Sequence, residues 1–184
     1  MLKICRKNQW RLSQQFEQST LPHAILIQGV EGSGKRALAN WLVELLLCQQ
    51  PVLKTTTEAN TDVAIKQACG QCKTCLLANS SSYPDHMLLE NKDKSLGVDE
   101  IRQANSFLQK TAHLGPVKSI LITQAQMMTV AASNALLKTL EEPSANSFII
   151  LLTDDLDALL PTVISRCSVY AIRAEAGQAL LTKL

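Results

Sequence analysis

The sequence predicts an α/β protein of three layers, α/β/α, in which a parallel sheet of five strands is covered by helices on both faces. Two observations point there. Five short apolar stretches, at 24–28, 86–90, 119–123, 148–152 and 168–172, alternate with helical or irregular segments, the rhythm of parallel strands joined by helical crossovers. The first of these stretches runs into Gly29-Val30-Glu31-Gly32-Ser33-Gly34-Lys35-Arg36, and residues 34–48 then carry apolar side chains at helical spacing. With 184 residues, 46% of them apolar, the chain can bury one substantial core.

Taken in order, the strand at 24–28, the glycine-rich turn and the helix at 34–48 make a phosphate-binding loop of the P-loop NTPase kind. Gly29, Gly32 and Gly34 let backbone N–H groups turn inward, the helix presents its positive end, and Lys35 reaches phosphate oxygens. Arg36 stands where a Ser or Thr would hold Mg²⁺, and a guanidinium cannot coordinate a metal ion. The competing reading is a glycine-rich turn with an incidental lysine.

Residues 49–68 are polar and rich in Thr and Gln, which predicts an exposed, mobile insertion. Directly after it, Cys69, Cys72 and Cys75 recur every third residue, so that one turn can wrap three thiols around an ion. Zinc suits this pattern better than an iron–sulfur cluster, which would call for a further Cys-Pro where Asn79-Ser80 stand. A structural zinc takes four ligands. Cys48 is the expected fourth, with His86 as the alternative, and four thiolates would leave no open position for catalysis. Cys5 and Cys167 read as reduced and partly buried.

The later elements follow the same rules. A helix is expected at 99–112 and another at 129–142, the second stopped by Pro143. In that second helix Ala132, Ala135, Leu136, Thr139 and Leu140 form a core stripe, leaving Asn134, Lys138 and Glu141 opposite. A hydrolytic P-loop site needs a carboxylate for Mg²⁺ and often one for water at the end of the strand beside the loop strand. The candidate is 118–126, where Thr123 and Gln124 occupy those places, and neither is an anionic ligand or base. Asp154 and Asp155, after the run at 148–152, are the rival carboxylates if another strand is meant.

The formal charge of +2 is too small to argue nucleic-acid binding by itself. No apolar run approaches the ~20 residues of a membrane span, and the N-terminus has no signal core, so the cytoplasm is the expected compartment. Six cysteines there speak for metal or burial over disulfides. The expected organisation is a P-loop domain at 1–172, with a zinc module at about 48–75, followed at 173–184 by the start of a helical lid domain whose remainder lies outside the sequence.

Three stretches carry a family resemblance: Leu21-Pro22-His23-Ala24, Asn134-Ala135-Leu136-Leu137-Lys138-Thr139-Leu140-Glu141-Glu142-Pro143, and Pro161-Thr162-Val163-Ile164-Ser165-Arg166-Cys167. Together they resemble the AAA+ clamp-loader subunits of bacterial DNA polymerase III, over nearly the whole chain. The resemblance implies that Arg166 is an arginine finger acting in trans on the ATP of a gamma or tau subunit. It implies that Thr153 stands at the sensor position that meets a γ-phosphate in active relatives. It implies a zinc module like that of several loader subunits, and as partners gamma or tau, delta and, through the assembly, the sliding clamp and primed DNA. The expected function is that of a non-hydrolysing subunit whose own ATP binding is doubtful. The alternatives are an active gamma/tau-type ATPase and a zinc-dependent nucleic-acid-binding module, whose cations would be Lys66 and Lys73.

Overall fold

The computed structural model describes residues 6–58, 61–79, 83–90 and 95–172. In chain order the elements are α1 (Arg6–Glu17), β1 (Ala24–Gln28), α2 (Lys35–Leu47), β2 (Val52–Glu58), β3 (Thr61–Gln67), α3 (Lys73–Asn79), β4 (His86–Leu89), α4 (Val98–Leu108), β5 (Lys118–Ile122), α5 (Val130–Glu141), β6 (Ser147–Thr153), α6 (Pro161–Ile164) and β7 (Ser168–Ala171). Five strands form one sheet in the order β4-β5-β6-β1-β7, every neighbouring pair parallel. All five anticipated strands are present, shifted by at most one residue at each end.

The period-2 alternation of the central strands builds two cores. Ile25, Ile27, Leu121, Ile150 and Leu152 face one side, where Leu38, Leu42 and Leu45 of α2 and Leu12 of α1 cover them. Ala24, Leu26, Ile120, Ile122, Ile149 and Leu151 face the other, against Ile101 and Ala104 of α4 and Ala132 and Leu136 of α5. The three-layer α/β/α arrangement is thus as expected. In α5 the core stripe is buried or half-buried while Asn134, Lys138 and Glu141 are exposed. Thr129 caps this helix by accepting a hydrogen bond from the Ala132 N–H at 3.1 Å.

Three expectations need correction. The segment 49–68, expected only as an exposed, mobile insertion, holds a hairpin: β2 and β3 pair antiparallel from Val52↔Gln67 to Glu58↔Thr61. Its many Thr residues suit a pleated strand better than a loop, and the Ser13 hydroxyl of α1 accepts from the Lys66 N–H at 2.7 Å. The helix expected at 99–112 ends at Leu108, because the chain must turn so that the N–H groups of His113, Leu114 and Gly115 can donate to the Asp85 carboxylate, at 2.7, 2.7 and 3.0 Å. Finally, β5 is not beside the loop strand β1, because β6 lies between them.

The helix α1 carried no sequence expectation, since its residues are mostly polar. It packs along the β7 edge, where Asn8 Nδ2 donates to the Ala171 carbonyl at 2.9 Å and the Tyr170 hydroxyl donates to Gln15 Oε1 at 2.5 Å. Cys5 and the expected lid segment 173–184 lie outside the described residues.

Candidate nucleotide site and metal centre

The glycine-rich loop links the C-terminal end of β1 to α2. Gly32 and Gly34 have φ of 78° and 89°, a left-handed backbone that glycine adopts without the Cβ penalty of other residues. Gly29 is close-packed: a Cβ there would stand 2.5 Å from Ser33 Oγ and 3.1 Å from the Ile172 carbonyl oxygen. These choices shape the loop locally. What surrounds it comes from distant sequence. A cavity of ≈ 310 Å³ at the loop is lined by Lys35, Arg36, Thr123, Gln124, Glu90 and Asp154, among others.

Both cations of the loop are already paired. Lys35 Nζ donates to an Asp154 carboxylate oxygen and, at 3.3 Å, to the Val30 carbonyl. Arg36 donates through both terminal nitrogens to Glu90, at 2.8 and 3.4 Å. Asp154 also accepts from Gln126 Nε2 at 3.1 Å. The strand that borders β1 on this side is β6, so the rival carboxylate Asp154, one residue beyond Thr153, is the one at the lysine. Thr123 and Gln124, although two strands away, still line the cavity from β5. Thr153 is fully buried, and its hydroxyl donates to the Asp155 carbonyl at 2.6 Å while accepting from the Asp155 N–H at 3.2 Å.

The four cysteines converge. Cys48 ends α2, Cys69 and Cys72 lie in the segment before α3, and Cys75 is in the first turn of α3. The β2–β3 hairpin closes the intervening chain on itself, so Cys48 and Cys69 meet however long the insertion is. Their sulfurs stand 3.6 Å apart, with Cys48–Cys72 and Cys69–Cys75 at 3.9 Å, Cys72–Cys75 at 3.4 Å, and all pairs within 4.8 Å. Four sulfurs each ~2.3 Å from a central zinc would be about 3.8 Å apart on a tetrahedron, so the set fits a metal ion.

Burial raises the Cys72 thiol, but the Thr74 hydroxyl and backbone N–H groups outweigh burial and bring it to about 5. It therefore favours the thiolate that metals bind. Burial raises Cys75 and Cys48 instead. His86, the alternative ligand, is outside this cluster, and its Nδ1 lies 2.9 Å from the Ser119 hydroxyl. Cys167 is a half-buried free thiol whose pKa burial raises to about 11.

Arg166 follows α6, on the far side of the Pro161 turn. Its Nε and NH2 bond Glu141 of α5 at 2.8 and 2.5 Å, and NH1 donates to the Thr162 carbonyl at 2.9 Å. The guanidinium is thereby held between α5 and α6, with the side chain 35% exposed. No single segment gives this geometry, because Glu141 and Arg166 come from two of the motif stretches and meet only in the fold.

The family model described as DNA polymerase III, delta subunit, matches residues 6–176. The chain belongs to this DNA polymerase III subunit family. It is similar to delta-prime members. The delta-prime subunit of Pseudomonas aeruginosa is 42% identical over 147 residues, which cover 79% of this chain and 41% of that protein. The delta-prime subunit of Escherichia coli is 38% identical over 164 residues, 88% of this chain and 46% of that protein. The chain thus spans less than half the length of these two relatives. A gamma subunit-related protein of Thermotoga maritima has a similar fold, with a TM-score of 0.64 at 24% identity over 91% of this chain and 47% of that one. The three-layer α/β/α fold with a five-stranded parallel sheet expected from the sequence is the fold observed. Among the described residues, no helix is long and apolar enough to cross a membrane.

Proposed function

We propose that this chain acts as a non-hydrolysing subunit of the DNA polymerase III clamp loader, in which Arg166 completes the ATP site of a neighbouring gamma or tau subunit. The observation that carries the reading is the mutual pairing at the loop. Lys35 is bonded to Asp154 and Arg36 to Glu90, while Thr123 and Gln124, which also line the cavity, offer neither an anionic metal ligand nor a carboxylate base. Hydrolysis would require Mg²⁺ to take a carboxylate from one of those cations. The family's role, the delta, sliding-clamp and primed-DNA partnerships and a cytoplasmic location come with this reading.

Cys48, Cys69, Cys72 and Cys75 would hold Zn²⁺, which with four thiolates is structural and ties α2 to the start of α3. The neighbour's site gains from Arg166 a positive charge that is fixed before the γ-phosphate charge develops. Such fingers contribute ~10³–10⁵ in rate, roughly 4–7 kcal/mol. The test is a reconstituted loader. Arg166→Ala is expected to lower its ATPase and clamp-loading rates, and the chain alone is expected to show no Mg²⁺-dependent turnover. Unchanged loader rates overturn the trans role.

The reading as a working ATPase has one observation on its side, the presence of Asp154 at the cavity, and turnover by the chain that vanishes in Lys35→Ala would establish it. A nucleic-acid module is disfavoured, since Lys66 is already paired to Glu17 at 3.3 Å.

A further inference from the structure

The contact between Lys35 and Asp154 joins residues 119 positions apart. The Lys35 side chain is only 12% exposed, and its ammonium has Asp154 and the Val30 carbonyl as partners. Asp154 is itself steered by Gln126 Nε2. The rest of the cavity wall adds Glu31 and Glu90 to Asp154 on the acidic side, against Lys35 and Arg36 on the basic side. A cradle for polyphosphate needs the opposite balance, an excess of donors and positive charge around the anion.

We propose that Asp154 is a built-in anion for this loop. Its carboxylate takes the place at Lys35 that a phosphate oxygen would take, and so excludes polyphosphates, nucleoside triphosphates included. The inference rests on the non-hydrolysing reading of the site and adds the residue that enforces it. The lysine is compensated from within the chain, and the loop remains a fixed part of the subunit fold.

The experiment is isothermal titration of the chain with inorganic diphosphate and with ATP, each with and without Mg²⁺. Asp154→Asn removes the charge and keeps the size of the side chain, and Asp154→Ser serves if the amide replaces the old contact. Either variant is expected to bind at least about tenfold more tightly than the parent, because a carboxylate charge within a few ångströms of the phosphate is gone. Adding Lys35→Met should return the affinity to the parent level. Binding by both Asp154 variants within about twofold of the parent overturns the inference, as does tight binding that survives Lys35→Met. Mg²⁺-dependent hydrolysis by the parent chain would sink the non-hydrolysing reading instead, and it is read from released phosphate, independently of the affinity ratio.

Discussion

The phosphate loop and the cysteine cluster are sets of polar side chains gathered at opposite ends of α2, and they are built on opposite principles. At the loop, each cation has a carboxylate of the same chain against it: Lys35 with Asp154, Arg36 with Glu90. At the cluster, four donors of one kind face one another, with all sulfurs within 4.8 Å. A set of like donors held at ligand spacing could hold a positive ion among them, whereas a set that contains its own counter-ions is complete as it stands. The contrast teaches that the presence of binding residues is a poorer guide to ligand need than the charge balance among them.

The largest expected effect tests the cluster. Cys72→Ser, or strong chelation of the parent chain, is expected to lower the melting temperature by roughly 10 °C or more, since a structural zinc contributes folding energy directly. Metal content measured on the same samples should fall from about one zinc per chain. An unchanged melting curve in protein that contains no metal would show that the cluster, like the loop, is self-sufficient.

Asp85 sharpens the comparison by offering a self-compensated set that is fully buried. It takes three backbone N–H bonds and lies 3.5 Å from Lys118 Nζ, which in turn stands 3.9 Å above the Phe107 ring. Asp85→Ala is expected to cost about 3–5 kcal/mol in denaturant unfolding, because it strands a buried lysine. Burial raises the Asp85 pKa, but the N–H bonds and Lys118 outweigh burial and hold it below the usual carboxylate range. Its stabilisation is therefore fully present above the unfolded value of about 3.9 and is lost as pH falls toward the lower folded value. Acid unfolding of Asp85→Asn should show a shallower dependence on pH in that window. Equal slopes for the variant and the parent would remove Asp85 from the account.

The smallest effect belongs to the exposed pair. Arg36 and Glu90 have side chains 43% and 32% exposed, so a double-mutant cycle with Arg36→Gln and Glu90→Gln should return a coupling of about 0.2–1 kcal/mol, decreasing in high salt. A coupling above about 2 kcal/mol would place this pair with Asp85 and Lys118 among the contacts that hold the fold together.

Much of the architecture was legible because it is local. The run Ala24–Gln28 is a strand as read, α2 and α5 fall within a residue of their expected ends, and the polar face of α5 is where its periodicity put it. The hairpin was missed because Thr-rich polar strands lack the apolar alternation by which strands are found, and α1 because its residues are mostly polar. At the site, Thr123 and Gln124 do line the loop cavity, but their strand was placed one position too close to β1. The rival Asp154 was noticed and its partner was not.

The sequence by itself determined the five strands of the main sheet, α2 and α5, the face that α5 buries, the glycine-rich turn between β1 and α2, and the set of cysteines able to share an ion. These depend on side-chain periodicity, glycine's freedom and ligand spacing, all of which act over a few residues. Only the tertiary structure decided that β6 enters between β5 and β1, that the hairpin returns Cys69 to Cys48, and that Asp154 meets Lys35 while Glu141 meets Arg166. Those outcomes depend on which crossovers pack against which face of the sheet, and the ion pairs form wherever that packing brings opposite charges together.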